Sequence, residues 1–283
     1  MLENLYSQNI LQKNFYYAFV LGFAYAIIGI GIAVLLFPND PALVSVAFTA
    51  LMFYPTLRKF LRKGEIQEAE KIEPSGGIFF KDKSGIFKVY SYYFIGVLLS
   101  FSFLAILMPS LAANHLFNDQ ISILYGHVTG NAIFTVPLFE IIFFNNLTVM
   151  ILCFVSALLI GDGAVFLLTW NASVWGTIFG TLAKTASHAS NKDPIIYFLL
   201  IFLIVFTHLI IEAFSYMVAA TSGSILSQGF IGEKIRSKTF FNIFVNAFIL
   251  IILAFIILFI GAVVETFVLD NSILYKTIIS QGF

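Results

Sequence analysis

Apolar residues run in long blocks separated by short polar stretches, and the blocks predict membrane-crossing helices. A transmembrane helix needs about 20 mostly apolar residues. Residues 15–37, 90–108, 147–168, 195–220 and 240–264 fit that length. Residues 41–57 are shorter and stop at Arg58, Lys59, Arg62 and Lys63. Residues 170–187 are short and interrupted by Gly176, Gly180 and Lys184. The first block is too long for a signal-peptide core and lacks a small-residue cleavage site, so it is expected to remain as a span.

Inside 195–220 the polar positions fall on one face. His208 and Glu212 are four residues apart, a spacing that stacks side chains on a helix. The same face continues through Ser215, Ala219 and Ser222, while Leu, Ile, Phe and Val fill the rest. An ionisable pair at bilayer depth is costly and by default faces a protein interior or a water-filled cavity. Two uses follow. The pair can hydrogen-bond neighbouring helices and fix their packing, or it can serve as a proton relay, an ion site or a polar-headgroup site.

Composition agrees with the blocks: 60% of the 283 residues are hydrophobic and 11% charged, against roughly 25% charged in a soluble domain. Net charge is zero, so it favours no nucleic-acid partner. Distribution is more telling, because cytoplasmic loops are enriched in Lys and Arg. Eight of the fifteen basic residues lie in 58–88. With Lys13, Lys234, Arg236 and Lys238 on the same side, twelve of fifteen face the cytoplasm. That arrangement requires 170–187 to cross. The expected architecture is all-α, a polytopic transmembrane helical bundle of about seven crossings, with the N-terminus cytoplasmic and the C-terminus outside. It divides into an N-terminal hairpin (1–57), a basic cytoplasmic loop (58–88) and a transmembrane core (89–283). Within the loop, 58–73 reads as a charged helix ended by Pro74-Ser75-Gly76-Gly77. Residues 77–87 read as a solvated basic loop attracted to anionic lipid, with a small hairpin or a membrane-surface segment as the alternative. The external segment is 109–146, within which 131–144, interrupted by Pro137 and Glu140, reads as an interfacial or shallowly re-entrant helix leading into the next span.

Several residues could act with His208 and Glu212. Gly161-Asp162-Gly163 predicts a helix break with Asp162 at the interface. Asn171 reads as the N-cap of the next helix. Gly176 and Gly180 form a small-xxx-small face that allows close helix approach, and allow a homodimer without requiring one. Glu265 ends the last span near its outer end, where solvation is cheap. The candidate polar network is His208, Glu212, Asp162, Asn145, Asn146, Asn171, Ser215 and Glu265, with Gly161, Gly163, Gly176 and Gly180 as helix-packing positions.

No metal site or cofactor is expected. Cys153 is the single cysteine, His208 and Glu212 are too few ligands for zinc, and His115 and His127 read as surface residues. The chain has no HExxH, no G-x-S-x-G and no phosphate-binding glycine loop, so it is read as a non-enzyme. A hydrolase would need a nucleophile beside His208, and Ser215 is the residue on that face.

In order and spacing, the region from Phe143 onward resembles the stage II sporulation protein M family of integral membrane proteins. Asn145-Asn146 resemble the paired asparagines that open a family span. Gly161, Gly163 and Asn171, with Gly176 or Gly180 beyond, resemble its glycine-spaced span and Asn-Gly turn. Thr207-His208-Leu209-Ile210-Ile211-Glu212 resembles its Pro-His-Gly-x-x-Glu, with Thr207 and Leu209 as departures. Gly261-Ala262-Val263-Val264-Glu265-Thr266-Phe267 resembles its closing Ile-Glu-Ala-Phe string. Ala172 stands where the family has glycine, and the hairpin before residue 58 is an addition. The resemblance implies a multi-pass scaffold or assembly factor of the cell membrane, with membrane lipid and other membrane or envelope proteins as partners. The alternative is a transporter or lipid-handling protein using His208 and Glu212 in a polar cavity.

Overall fold

Local chemistry sets where the helices start and stop. Asp193 precedes Pro194, and its side chain accepts a hydrogen bond from the Ile195 amide at 2.8 Å. The cap satisfies a free N–H of the first turn, and proline suits the first helical position. Ser237 caps the last helix in the same way, through the Phe240 amide at 3.0 Å. Gly161, with φ of +72°, makes the turn that separates two long helices, a conformation open to glycine at little cost.

The computed structural model describes residue 11 and residues 14–69, 79–127, 136–161, 163–190 and 192–273, excluding the side chains of 61–69, 79–84, 124–127, 136–137 and 270. Asp162, the stretch 74–77 and the His127 side chain therefore lie outside the described residues. Among those described, the chain is all-helical: α1 (Tyr16–Leu36), α2 (Pro41–Ala69), α3 (Phe79–Leu107), α4 (Ser110–Leu116), α5 (Asn118–His127), α6 (Val136–Ile160), α7 (Ala164–Ser190), α8 (Pro194–Gly232) and α9 (Lys238–Asn271).

Six of these, α1, α3, α6, α7, α8 and α9, are long and apolar enough to cross a membrane. α2 is not among the six. Its apolar part ends at Arg58, and Ser45, Thr49 and Pro55 dilute it. Large apolar side chains face outward all around the bundle, including Leu35 at 81%, Leu203 at 69% and Phe241 at 65% exposure. Apolar surface on that scale is disfavoured in water and suited to lipid.

Contacts fix the direction of each long helix. α1 and α2 are antiparallel, with Gly29 against Ser45 and Thr49 and Phe15 against Phe60. α1 runs parallel to α3 and α3 to α7. α6 runs parallel to α8 and antiparallel to α9, where Phe139 meets Phe259 and Phe143 meets Phe255. Seven long helices thus alternate in direction along the chain, α2 included. Close approach is made through glycines: Gly176 packs on the Leu98 carbonyl and Gly180 on the Ser102 carbonyl, both across the α3–α7 contact. Between the same helices the Tyr93 hydroxyl meets Thr169 Oγ1 at 2.7 Å, and the Tyr93 ring stacks on Phe53 at 3.8 Å. Lys184 Nζ donates to the Met108 carbonyl, just beyond the end of α3, where a cation complements the free carbonyls of a helix end.

Three expectations are corrected by the fold. Residues 136–144 do lead into the next span, but as the first turns of α6 itself rather than as an interfacial or re-entrant segment. Pro137, at the second position of α6, falls in the first turn, where a missing N–H costs nothing. The predicted span 147–168 is really two elements, because the turn at Gly161 divides it. Residues 79–87 are the start of α3 and form no hairpin. The expected crossing at 170–187 is present, within a continuous 27-residue helix, α7, that is long and apolar enough to span. Its small and hydroxylated residues face α3 and lower its hydropathy without shortening it.

A buried His–Glu–Asn–Tyr cluster as the candidate functional site

The polar face of α8 points into the bundle. His208, Glu212 and Ser215 are at most 1% exposed. Three helices close over them. α6 brings Asn146 (7% exposed), α9 brings Glu265 (8%), and α7 brings Trp175, whose ring lies edge-on to His208 at 6.2 Å. Gly261, one turn before Glu265, lets α9 approach. A Cβ there would lie 3.2 Å from Glu212 Cγ.

Asn146 is the hub. Its Nδ2 donates to Glu212 Oε1 at 2.8 Å, and its Oδ1 accepts from the Tyr216 hydroxyl at 2.9 Å. One amide therefore ties α6 to two successive turns of α8. Ser215 donates to the Glu212 main-chain carbonyl at 2.7 Å. The Glu212 and Glu265 carboxyl groups are neighbours. His208 directs Nε2 toward Glu265 Oε1 at 4.0 Å rather than toward Glu212. Both His208 ring nitrogens, Glu212 Oε2 and Glu265 Oε2 are buried without a hydrogen-bond partner.

The sequence-predicted residues divide clearly. His208, Glu212, Asn146, Ser215 and Glu265 come together. Glu265 corrects one expectation, since it is covered by α8 and not solvated. Asn145, next to the hub, is exposed and makes only a 3.5 Å contact with Asn146 Oδ1. Asn171 is not an N-cap. α7 begins seven residues earlier, so Asn171 lies in its interior and donates to the Leu167 carbonyl at 2.8 Å. Gly176 and Gly180 are occupied by α3 within the same chain.

Two members were missed from the sequence. Tyr216 follows Glu212 by four residues, the spacing that pairs His208 with Glu212, and that rule could have found it. Trp175 carries no such signal. The four helices also enclose Ser222, which donates to the Ala247 carbonyl of α9 at 2.7 Å. Among the described residues no three His, Cys, Asp or Glu side chains are arranged to hold a metal ion. A separate groove between α3 and α8, about 110 Å³, is lined by apolar residues such as Phe94, Phe206 and Met217, and no member of the cluster lines it.

No curated protein and no solved structure matches this chain. The profile of the family described as Stage II sporulation protein M matches residues 90–268, from the start of the α3 span to the end of α9. That region holds the whole cluster and omits the α1–α2 hairpin. With its membrane-like helices and this match over more than half its length, the chain belongs to the stage II sporulation protein M family.

Proposed function

We propose that the protein is a non-enzymatic, multi-pass component of the cell membrane, a scaffold or assembly factor whose core is locked by the buried cluster. The observation that carries this reading is Asn146, which spends both ends of its amide on α8 while the cluster lies closed beneath α6, α7 and α9. Polar bonds between membrane helices fix register and rotation where lipid gives little drive for association. A closed core leaves the outer faces and the connecting segments for partners, which are membrane lipid and other membrane or envelope proteins.

The alternating helix directions bring the start of α1, the end of α2, the start of α3 and the turn carrying Lys234 and Arg236 to one end of the bundle. The excess of basic residues there makes that end cytoplasmic. The test is thiol accessibility in native membranes, with Cys153 replaced. Ser215→Cys, Ala219→Cys and Ser222→Cys are expected to resist a water-soluble reagent, while Gly232→Cys at the end of α8 reacts. Labelling along the 215–222 face would reveal a water path and move the reading to transport.

A further inference from the structure

The cluster is closed, yet it is not chemically complete. His208 is fully buried with both ring nitrogens unpartnered, and its Nε2 is aimed at a carboxyl oxygen 4.0 Å away. That carboxyl, Glu265, lies against a second, Glu212, and each has one buried oxygen without a donor. Two acceptor groups side by side in an apolar interior call for protons. Burying an uncompensated charge is far more costly than sharing a proton between the groups.

We propose that His208, Glu212 and Glu265 form a proton-binding site within the bundle that holds two exchangeable protons among three groups. Charge balance allows two neutral forms. In one, both carboxyls are protonated and the imidazole is neutral. In the other, the proton on Glu265 Oε1 has moved to His208 Nε2, which leaves a carboxylate paired with an imidazolium. The forms have the same number of protons and the same net charge, so the move between them leaves no uncompensated buried charge, and the attraction within the pair offsets part of its desolvation. The 4.0 Å gap is longer than a hydrogen bond and is crossed by a small side-chain shift or by one bridging water.

The surroundings leave this site to itself. On α8 the neighbouring titratable group is Tyr216, whose hydroxyl is donated to Asn146. α6 contributes Asn146, with Cys153 beyond it near Tyr216, and α7 presents the Trp175 ring. Glu265 is the member nearest a helix end. Its side chain retains 11% exposure against 1% for His208, and it lies six residues from the end of α9. Loss of one proton would leave a buried negative charge between α8 and α9, so their contact is linked to the proton count.

Infrared spectroscopy of the full chain in lipid nanodiscs at pH 7 tests this directly. Exposed carboxyl groups are ionised at that pH, so a protonated carboxylic-acid carbonyl band reports a buried acid. The wild type is expected to show such a band, shifted on transfer to D2O. Glu212→Gln and Glu265→Gln should each remove part of it, and the double variant all of it. Glutamine keeps the shape and one acceptor oxygen, so folding is expected to survive; if it fails, the wild-type band and its D2O shift decide. A wild-type spectrum of carboxylates only overturns the proposal, and a bound metal found with it by elemental analysis would assign the cluster to a cation. A band that persists in the folded double variant also overturns it.

Discussion

Asn145 and Asn146 are adjacent and chemically identical, and the structure gives them opposite fates. Asn146→Ala removes the bond to Glu212 Oε1 and the bond from Tyr216, both buried. Asn145→Ala removes one 3.5 Å contact at an exposed position. Hydrogen bonds between membrane helices average about 0.6 kcal/mol and reach about 1.7. Two of them put the cost of Asn146→Ala at about 1.2–3.4 kcal/mol, and stranded buried partners push it toward the upper end. At 1.4 kcal/mol per tenfold, that is roughly a 7- to 270-fold shift in the unfolding equilibrium. Asn145→Ala should stay within about 0.5 kcal/mol of wild type, as surface changes do. Reversible unfolding in mixed micelles, followed by helical circular dichroism, measures both. A double-mutant cycle with Tyr216→Phe should give a coupling of the size of one bond. Equal effects of the two alanine variants would refute Asn146 as the hub.

Gly176→Val places a branched side chain against the Leu98 carbonyl and should cost about 1–3 kcal/mol in thermal stability through overpacking. The oligomeric state should not change, because α3 already fills that face. Loss of a dimer without loss of stability would contradict the packing. Tyr93→Phe removes the bond to Thr169 but keeps the stack on Phe53, so it should cost about 0.6–1.7 kcal/mol. Adding Thr169→Val should cost less than the two singles summed, and strict additivity would speak against the bond.

What the sequence revealed followed from periodicity and cost. The i, i+4 spacing of His208 and Glu212 within an apolar block located the cluster, because a buried charge is too costly to be accidental. The flanking glycines of Asp162 located the turn, because a positive φ suits glycine. What stayed hidden depends on which helices meet. Glu265 looked solvated because it ends an apolar run. Only the α8–α9 hairpin, closing over Gly261, brings it back to Glu212. Asn171 looked like a cap because the preceding turn was placed too late along the chain. The extent of α7 was obscured because its inward face is built of glycine, serine and threonine, which lower hydropathy where the packing is tightest. α2 shows the reverse: its direction and its pairing with α1 make it a full member of the bundle, while its composition falls short.

α8 runs 39 residues without interruption. At about 1.5 Å per residue it measures roughly 58 Å, nearly twice the ~30 Å hydrocarbon thickness of a bilayer. It is therefore either steeply inclined or extended beyond the lipid as a rigid rod. The turn that joins it to α9 carries Lys234 and Arg236, and His208 and Glu265 face each other farther along the same two helices. A partner or lipid surface that grips this turn therefore grips the same two continuous helices that carry His208 and Glu265.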